Sequence, residues 1–153
     1  MKRRSLLKLS SLGLIVTTIP ILSKGNNDCK TINTYEKYRD KIVNRNRYKM
    51  SNNPTKSELK HTPDIKVGKK DANGFTLVEI TVGQKGIIHP STKEHWIDFI
   101  ELKADGKSID KALFEPGTSM GYAAFKVKLD GVKTLTAVEG CNLHGIWEYS
   151  INL

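Results

Sequence analysis

Asp71-Ala72-Asn73-Gly74-Phe75-Thr76-Leu77-Val78-Glu79-Ile80-Thr81-Val82 decides the fold class. Thr76, Val78, Ile80 and Val82 alternate with Leu77, Glu79 and Thr81, the period-two pattern of a strand with one buried face. Asn73-Gly74 is a strong hairpin signal, and Ile65-Lys66-Val67 upstream supplies the partner strand. The pattern continues outward. Residues 96–103 form another run, closed by Asp105-Gly106. Phe125, Val127 and Leu129 alternate with Lys126 and Lys128 before a turn at Asp130-Gly131. Residues 134–138 and 146–153 complete the set. Short strands separated by turn residues predict an all-β fold, an antiparallel β-sandwich. No internal repeat or low-complexity segment stands out.

Upstream of this region the character changes. Residues 26–56 form a polar arm, marked at its ends by Asn26, Asn27, Asn52, Asn53 and Pro54. Within it, residues 35–48 can form a short charged helix, but the apolar face is thin. Residues 1–25 read as a secretory leader. Arg3-Arg4 is followed by Leu6-Leu7-Lys8 and then by an apolar stretch over 12–22, interrupted by Thr17, Thr18 and Pro20. That stretch is short of the roughly 20 apolar residues of a membrane span. The arginine pair resembles a twin-arginine signal, which carries folded proteins. The expectation is export, with cleavage after Ser23; the alternative is an uncleaved membrane anchor. The sandwich is expected over 57–153.

Charge narrows the function classes. The formal net charge is +9, but five of the positive charges (Lys2, Arg3, Arg4, Lys8, Lys24) sit in the leader, which leaves +4 for the rest. That is too little to argue for nucleic acid; it suits a small anionic substrate. The chain has two cysteines, Cys29 and Cys141. Cys29, in the polar arm, reads as an unpaired thiol, because Cys141 has better use as a metal ligand.

The four histidines, His61, His89, His95 and His144, fall with Cys141 into three clusters. They stand in Lys60-His61-Thr62-Pro63, in the loop from His89-Pro90 to Glu94-His95, and in Cys141-Asn142-Leu143-His144. Each cluster lies at a strand boundary, where the loops of a sandwich can converge at one end. Gly140 and Gly145 flank the last cluster and let the backbone fold tightly around an ion. Five donors overfill a tetrahedral zinc site. A blue-copper site uses two His, one Cys and an axial Met, and no Met follows His144; Met1, Met50 and Met120 all precede it. A Gln or backbone axial ligand keeps copper in contention. Donors of mixed softness with one vacant position fit a redox iron better.

At these residues the chain resembles the superoxide reductases, the desulfoferrodoxin and neelaredoxin family. His89-Pro90, Glu94-His95-Trp96-Ile97, Ile100-Glu101-Leu102 and Cys141-Asn142-Leu143-His144-Gly145-Ile146-Trp147 match its motifs, as does Lys60-His61-Thr62-Pro63. The likeness covers residues 60–147. It implies an immunoglobulin-like sandwich and one mononuclear iron. His61, His89, His95 and His144 would lie in the plane, with Cys141 on the axis. It implies one-electron reduction of superoxide to hydrogen peroxide, an outside electron donor protein and a homotetramer. The family's rubredoxin-like module has no counterpart, Cys29 being alone in the arm.

The resemblance also implies a role for Lys60, whose charge would attract the anionic substrate. Family members often carry Glu directly before the Lys-His pair, where it can occupy the sixth iron position. Here that place is Leu59, and Glu58 lies one residue earlier. Either Glu58 reaches in by a shifted loop or the sixth position holds water or hydroxide. Backbone N–H groups over 142–144 are expected to bond the sulfur. Trp96 and Trp147 are expected to pack beside the ligand loops. Glu94 either orients His95 or is a solvated acid. The competing reading is a copper- or iron-binding electron-transfer protein of the same fold without catalytic activity.

Overall fold

The segment around Val78 is the strand the alternation predicts. Among the residues that this computed structural model describes, 47–153, the order is β1 (Arg47–Lys49), α1 (Lys56–His61), β2 (Pro63–Lys70), β3 (Thr76–Val82), β4 (Ile97–Ala104), β5 (Lys107–Leu113), β6 (Tyr122–Val127), β7 (Thr134–Cys141) and β8 (Gly145–Asn152). The leader, residues 26–46 of the arm and Cys29 lie outside the described residues. One sheet is ordered β1-β8-β7-β4-β5 and the other β2-β3-β6. All pairings are antiparallel except β1 with β8, which is parallel. Among the described residues no helix is long and apolar enough to cross a membrane.

The two sheets face each other as a β-sandwich. Thr76, Val78, Ile80 and Val82 are buried, while Leu77 is exposed. With Ile65, Ala123 and Phe125 of the same sheet, Val78, Ile80 and Val82 meet Ile97, Ile100, Leu102, Leu135 and Ala137 of the other in one apolar cluster. Cys141 belongs to that cluster and is fully buried. The thiol is therefore held by the close packing of the sandwich interior. The β2–β3 hairpin turns where expected. Asp71 accepts the backbone N–H groups of Asn73 and Phe75 at 2.9 Å each, and Gly74 takes φ 81°, a left-handed conformation that glycine adopts without steric penalty.

Three elements depart from the sequence expectation. β5 was not foreseen: almost all its side chains are exposed, so an edge strand wet on both faces leaves no alternation to read. Arg47 and Tyr48, at the end of the stretch over 35–48 that can form a short charged helix, lie in a strand, and residues 35–46 are outside the described residues. The pairing with β8 overrides local helix preference: Tyr48 lies opposite Trp147, and Arg47 holds Glu148 at 2.7 Å. α1 was also missed, although its signal was legible in Thr55-Lys56-Ser57-Glu58. Thr55 Oγ1 accepts the Glu58 N–H at 3.2 Å, and Glu58 Oε2 accepts the Thr55 N–H at 2.7 Å, a complete capping box.

Candidate metal centre

The donor residues hang from more regular structure than a reading of loops anticipated. His89 and His95 do lie in the loop between β3 and β4, and His144 lies in the turn between β7 and β8. His61, however, is the last residue of α1, and Cys141 is the last of β7, in register with Ile97 and Gly145. The capping box fixes where α1 starts, and six residues later it delivers His61. Donors fixed on helix and strand ends are placed more precisely than donors on free loops.

Together they form one cluster. The ligand atoms of His61, His89, His95 and Cys141 all lie within 4.8 Å of one another. His144 closes the set: its Nδ1 is 3.0 Å from His61 Nε2, 3.1 Å from His95 Nε2 and 3.4 Å from Cys141 Sγ. The four rings trace a square. Centroids of neighbouring rings are 4.6 Å apart for His61–His144, 4.8 Å for His144–His95, 4.4 Å for His95–His89 and 4.8 Å for His89–His61. The His61–His95 diagonal is longer, at 5.9 Å. Two imidazole nitrogens bound at right angles to one ion, each about 2.1 Å from it, sit about 3 Å apart. The His61–His144 and His144–His95 spacings meet that requirement.

Hydrogen bonds set the tautomers. His61 Nδ1–H donates to the Ser57 carbonyl and His89 Nδ1–H to the Pro90 carbonyl, both at 2.6 Å. Each bond turns the bare Nε2 toward the cluster, the outer-sphere arrangement typical of metal-bound histidine. His89 Nε2 is buried and has no hydrogen-bond partner. An orphaned buried acceptor costs stability unless something fills its lone pair, and a metal ion would do so. The chemistry of the donor set therefore fits an ion. Among the described residues, no Asp or Glu joins the group.

Electrostatics keep the imidazoles ready to bind. Burial is the largest effect on His61, His89 and His95, whose pKa values fall to about 4, 3 and 4, and it also lowers that of His144. The charge of Lys60 acts on all four histidines in the same direction. Burial pushes the Cys141 thiol up to about 11, opposed by the backbone N–H groups of Leu143 and His144 that bond its sulfur. Those N–H groups are the ones expected over 142–144. A bound cation inverts the thiol's preference, because a coordinating sulfur gives up its proton.

The surrounding residues divide less as expected. Glu58 is occupied by the capping box, so its carboxylate is not turned to the cluster. Leu59 is buried beside it, 8% exposed. Gly145 takes φ 83°, as a tight turn demands, but Gly140 lies in β7 for a different reason. The Phe99 ring lies against it where a Cβ would project. Trp147 stacks on His61 with centroids 5.0 Å apart and planes 14° apart, and its Nε1 donates to the His144 carbonyl at 3.2 Å. Trp96 is buried. Glu94 takes part through its carbonyl, which accepts Asn142 Nδ2 at 2.8 Å. Asn142, buried between two ligand loops, is the residue that reading the sequence for ligands passed over.

The Desulfoferrodoxin family model matches residues 53–150. A desulfoferrodoxin from Nitratidesulfovibrio vulgaris is 45% identical over 89 residues, covering 58% of this chain and 60% of that protein. The chain thus spans less than two thirds of that relative's length. A superoxide reductase from Pyrococcus abyssi is 37% identical, covering 61% of this chain and 87% of its own. The solved superoxide reductase from Giardia intestinalis superposes with a TM-score of 0.54 at 32% identity, covering 61% of this chain and 98% of that one. The one from Nanoarchaeum equitans gives 0.56 at 28% identity, covering 69% and 98%. With a β-sandwich that gathers four imidazoles and a thiol at one point, and a match over residues 53–150, this chain belongs to the desulfoferrodoxin family.

Proposed function

We propose that this chain is a superoxide reductase, adding one electron to superoxide to yield hydrogen peroxide. The observation that carries the reading is the square of imidazoles closed by His144 Nδ1, with Cys141 Sγ against it. His61, His89, His95, His144 and Cys141 would together hold a mononuclear iron. When bound, the iron would supply a one-electron ferrous–ferric couple. Four imidazoles exceed the two of a blue-copper site, and the likeness to proteins named superoxide reductase disfavours a non-catalytic carrier of either copper or iron.

The chain's own residues supply the rest. Lys60 contributes the one side-chain charge felt by all five donors among the described residues. A cation in that position raises the local concentration of a small anion. Leu143 and His144 N–H groups donate to the Cys141 sulfur and temper its electron donation. Glu58 is held in the helix cap and is not offered to the donors, so solvent water would supply the two protons that peroxide needs.

Each turnover needs one electron from outside, so the partner is a separate one-electron donor protein. Arg3-Arg4 and the apolar stretch behind it support export through the folded-protein route, with an uncleaved membrane anchor as the alternative. Association into a homotetramer fits the family. The test is superoxide consumption by the iron-loaded chain with a chemical reductant. One hydrogen peroxide formed per superoxide, with no dioxygen, supports the reading; dioxygen in half that amount or no consumption contradicts it.

A further inference from the structure

We propose that Tyr48 is a positioning residue of the metal centre, acting through Trp147 on His61 and His144. This rests on the iron-site reading above and adds to it a residue upstream of the segment, 53–150, that the family model matches.

Three rings stand in a row. Tyr48 stacks on Trp147 with centroids 4.9 Å apart and planes 26° apart; Trp147 stacks in turn on His61 at 5.0 Å and 14°. Register makes the first contact, because β1 pairs in parallel with β8 and sets Tyr48 opposite Trp147. The Arg47–Glu148 ion pair at 2.7 Å fastens the same short strand. Trp147 is thereby clamped between a ring from the arm and a ligand ring.

The clamp supplies what the ligands' own bonds do not. The Nδ1–H bond of His61 to Ser57 fixes one point of that ring; the ring plane needs a second contact, and the indole face is that contact. His144 is exposed and its Nδ1 points at the other donors, so its turn is steadied from behind by the Trp147 Nε1–H bond to its carbonyl. One indole therefore restrains two of the five donors. Stacked aromatic pairs hold a preferred geometry beyond mere burial. Removing the Tyr48 ring uncovers one face of Trp147, and the slack passes to both histidines.

The experiment uses the full chain loaded with ferrous iron, as wild type, Tyr48→Phe, Tyr48→Leu and Tyr48→Ala. It measures the rate of iron loss to a chelator, the position of the thiolate charge-transfer band after oxidation, and thermal unfolding of the metal-free protein. Expected are iron loss on the order of tenfold faster in Tyr48→Ala, a shifted band, and wild-type behaviour in Tyr48→Phe. Tyr48→Leu, which fills space without a ring, should recover thermal stability but not iron retention. Wild-type iron loss and an unmoved band in Tyr48→Ala overturn the proposal. So does iron loss that simply tracks thermal stability across the series. A wild-type chain that takes up no iron overturns the iron-site reading itself, a result distinguishable from either.

Discussion

Asn142 Oδ1 accepts the backbone N–H of Trp96 at 2.9 Å, so the residue beside the candidate ligand Cys141 ties down the residue beside the candidate ligand His95. The same side chain donates to the Glu94 carbonyl at 2.8 Å, and its backbone N–H bonds the Trp96 carbonyl at 3.2 Å. Two ligand loops are thus stapled into one unit by a single buried amide. Asn142→Ala leaves buried backbone groups unpaired and frees the loops from each other. Iron affinity should fall by roughly 10- to 100-fold, measured by competition with a chelator. Asn142→Asp keeps the acceptor and loses the donor, and should fall between.

Thr55 acts on the site from the far end of α1. Thr55→Ala removes one half of the capping box and should cost about 1 kcal/mol of metal-free stability, read from urea unfolding. Because α1 ends at His61, fraying should also quicken iron release. An unfolding midpoint equal to wild type would mean that the cap does not support the helix.

The titrating groups give the stability curve two limbs. His61, His89 and His95 are held at about 4, 3 and 4, below their ordinary 6.5. Between those values the unfolded chain binds more protons than the folded one, so metal-free stability is full above 6.5 and falls as pH drops toward 4 and then 3. Glu139 has the opposite sign. Fully buried, with neither carboxylate oxygen hydrogen-bonded, it is held well above 4.5. Its contribution is present below 4.5 and is lost as pH rises through the folded value. Glu139→Gln should flatten the limb above pH 6.5 and leave the fall below pH 4.5 unchanged, as read from urea midpoints across pH.

Iron uptake should carry its own proton signature. The imidazoles are already neutral near pH 7, so the one proton to be displaced is that of Cys141, whose pKa is about 11. Affinity should rise about tenfold per pH unit through neutrality. Titration in weakly buffered solution should show about one proton released per ion; release of none would mean that the sulfur is not a ligand.

Lys60 should govern encounter rather than metal binding. Lys60→Ala should lower the second-order rate with superoxide about tenfold at low ionic strength and flatten its salt dependence, with iron content unchanged. Pulse radiolysis reads the rate. An unchanged rate and slope would remove Lys60 from the mechanism.

The strands with one buried face were legible because burial writes a period of two into residues such as Thr76, Val78, Ile80 and Val82. β5 and β1 were not, since exposed edge strands carry no such pattern. The five donors were legible by chemistry, as the only histidines and one of two cysteines. Their supports were harder to see. The Tyr48–Trp147 stack arises from a parallel pairing across 99 positions of sequence, and the bond from Asn142 to Trp96 spans 46. No local spacing encodes either. Thr55 and Glu58 are the exception, a short-range signal that was present and unread.

The most direct measurement is metal content with the visible spectrum, oxidised and reduced, of wild type and Cys141→Ser. The expected result is one iron per wild-type chain and a ferric charge-transfer band that vanishes on reduction and is absent from Cys141→Ser. Copper in place of iron, or a band that survives the substitution, would contradict an iron centre with Cys141 as its thiolate.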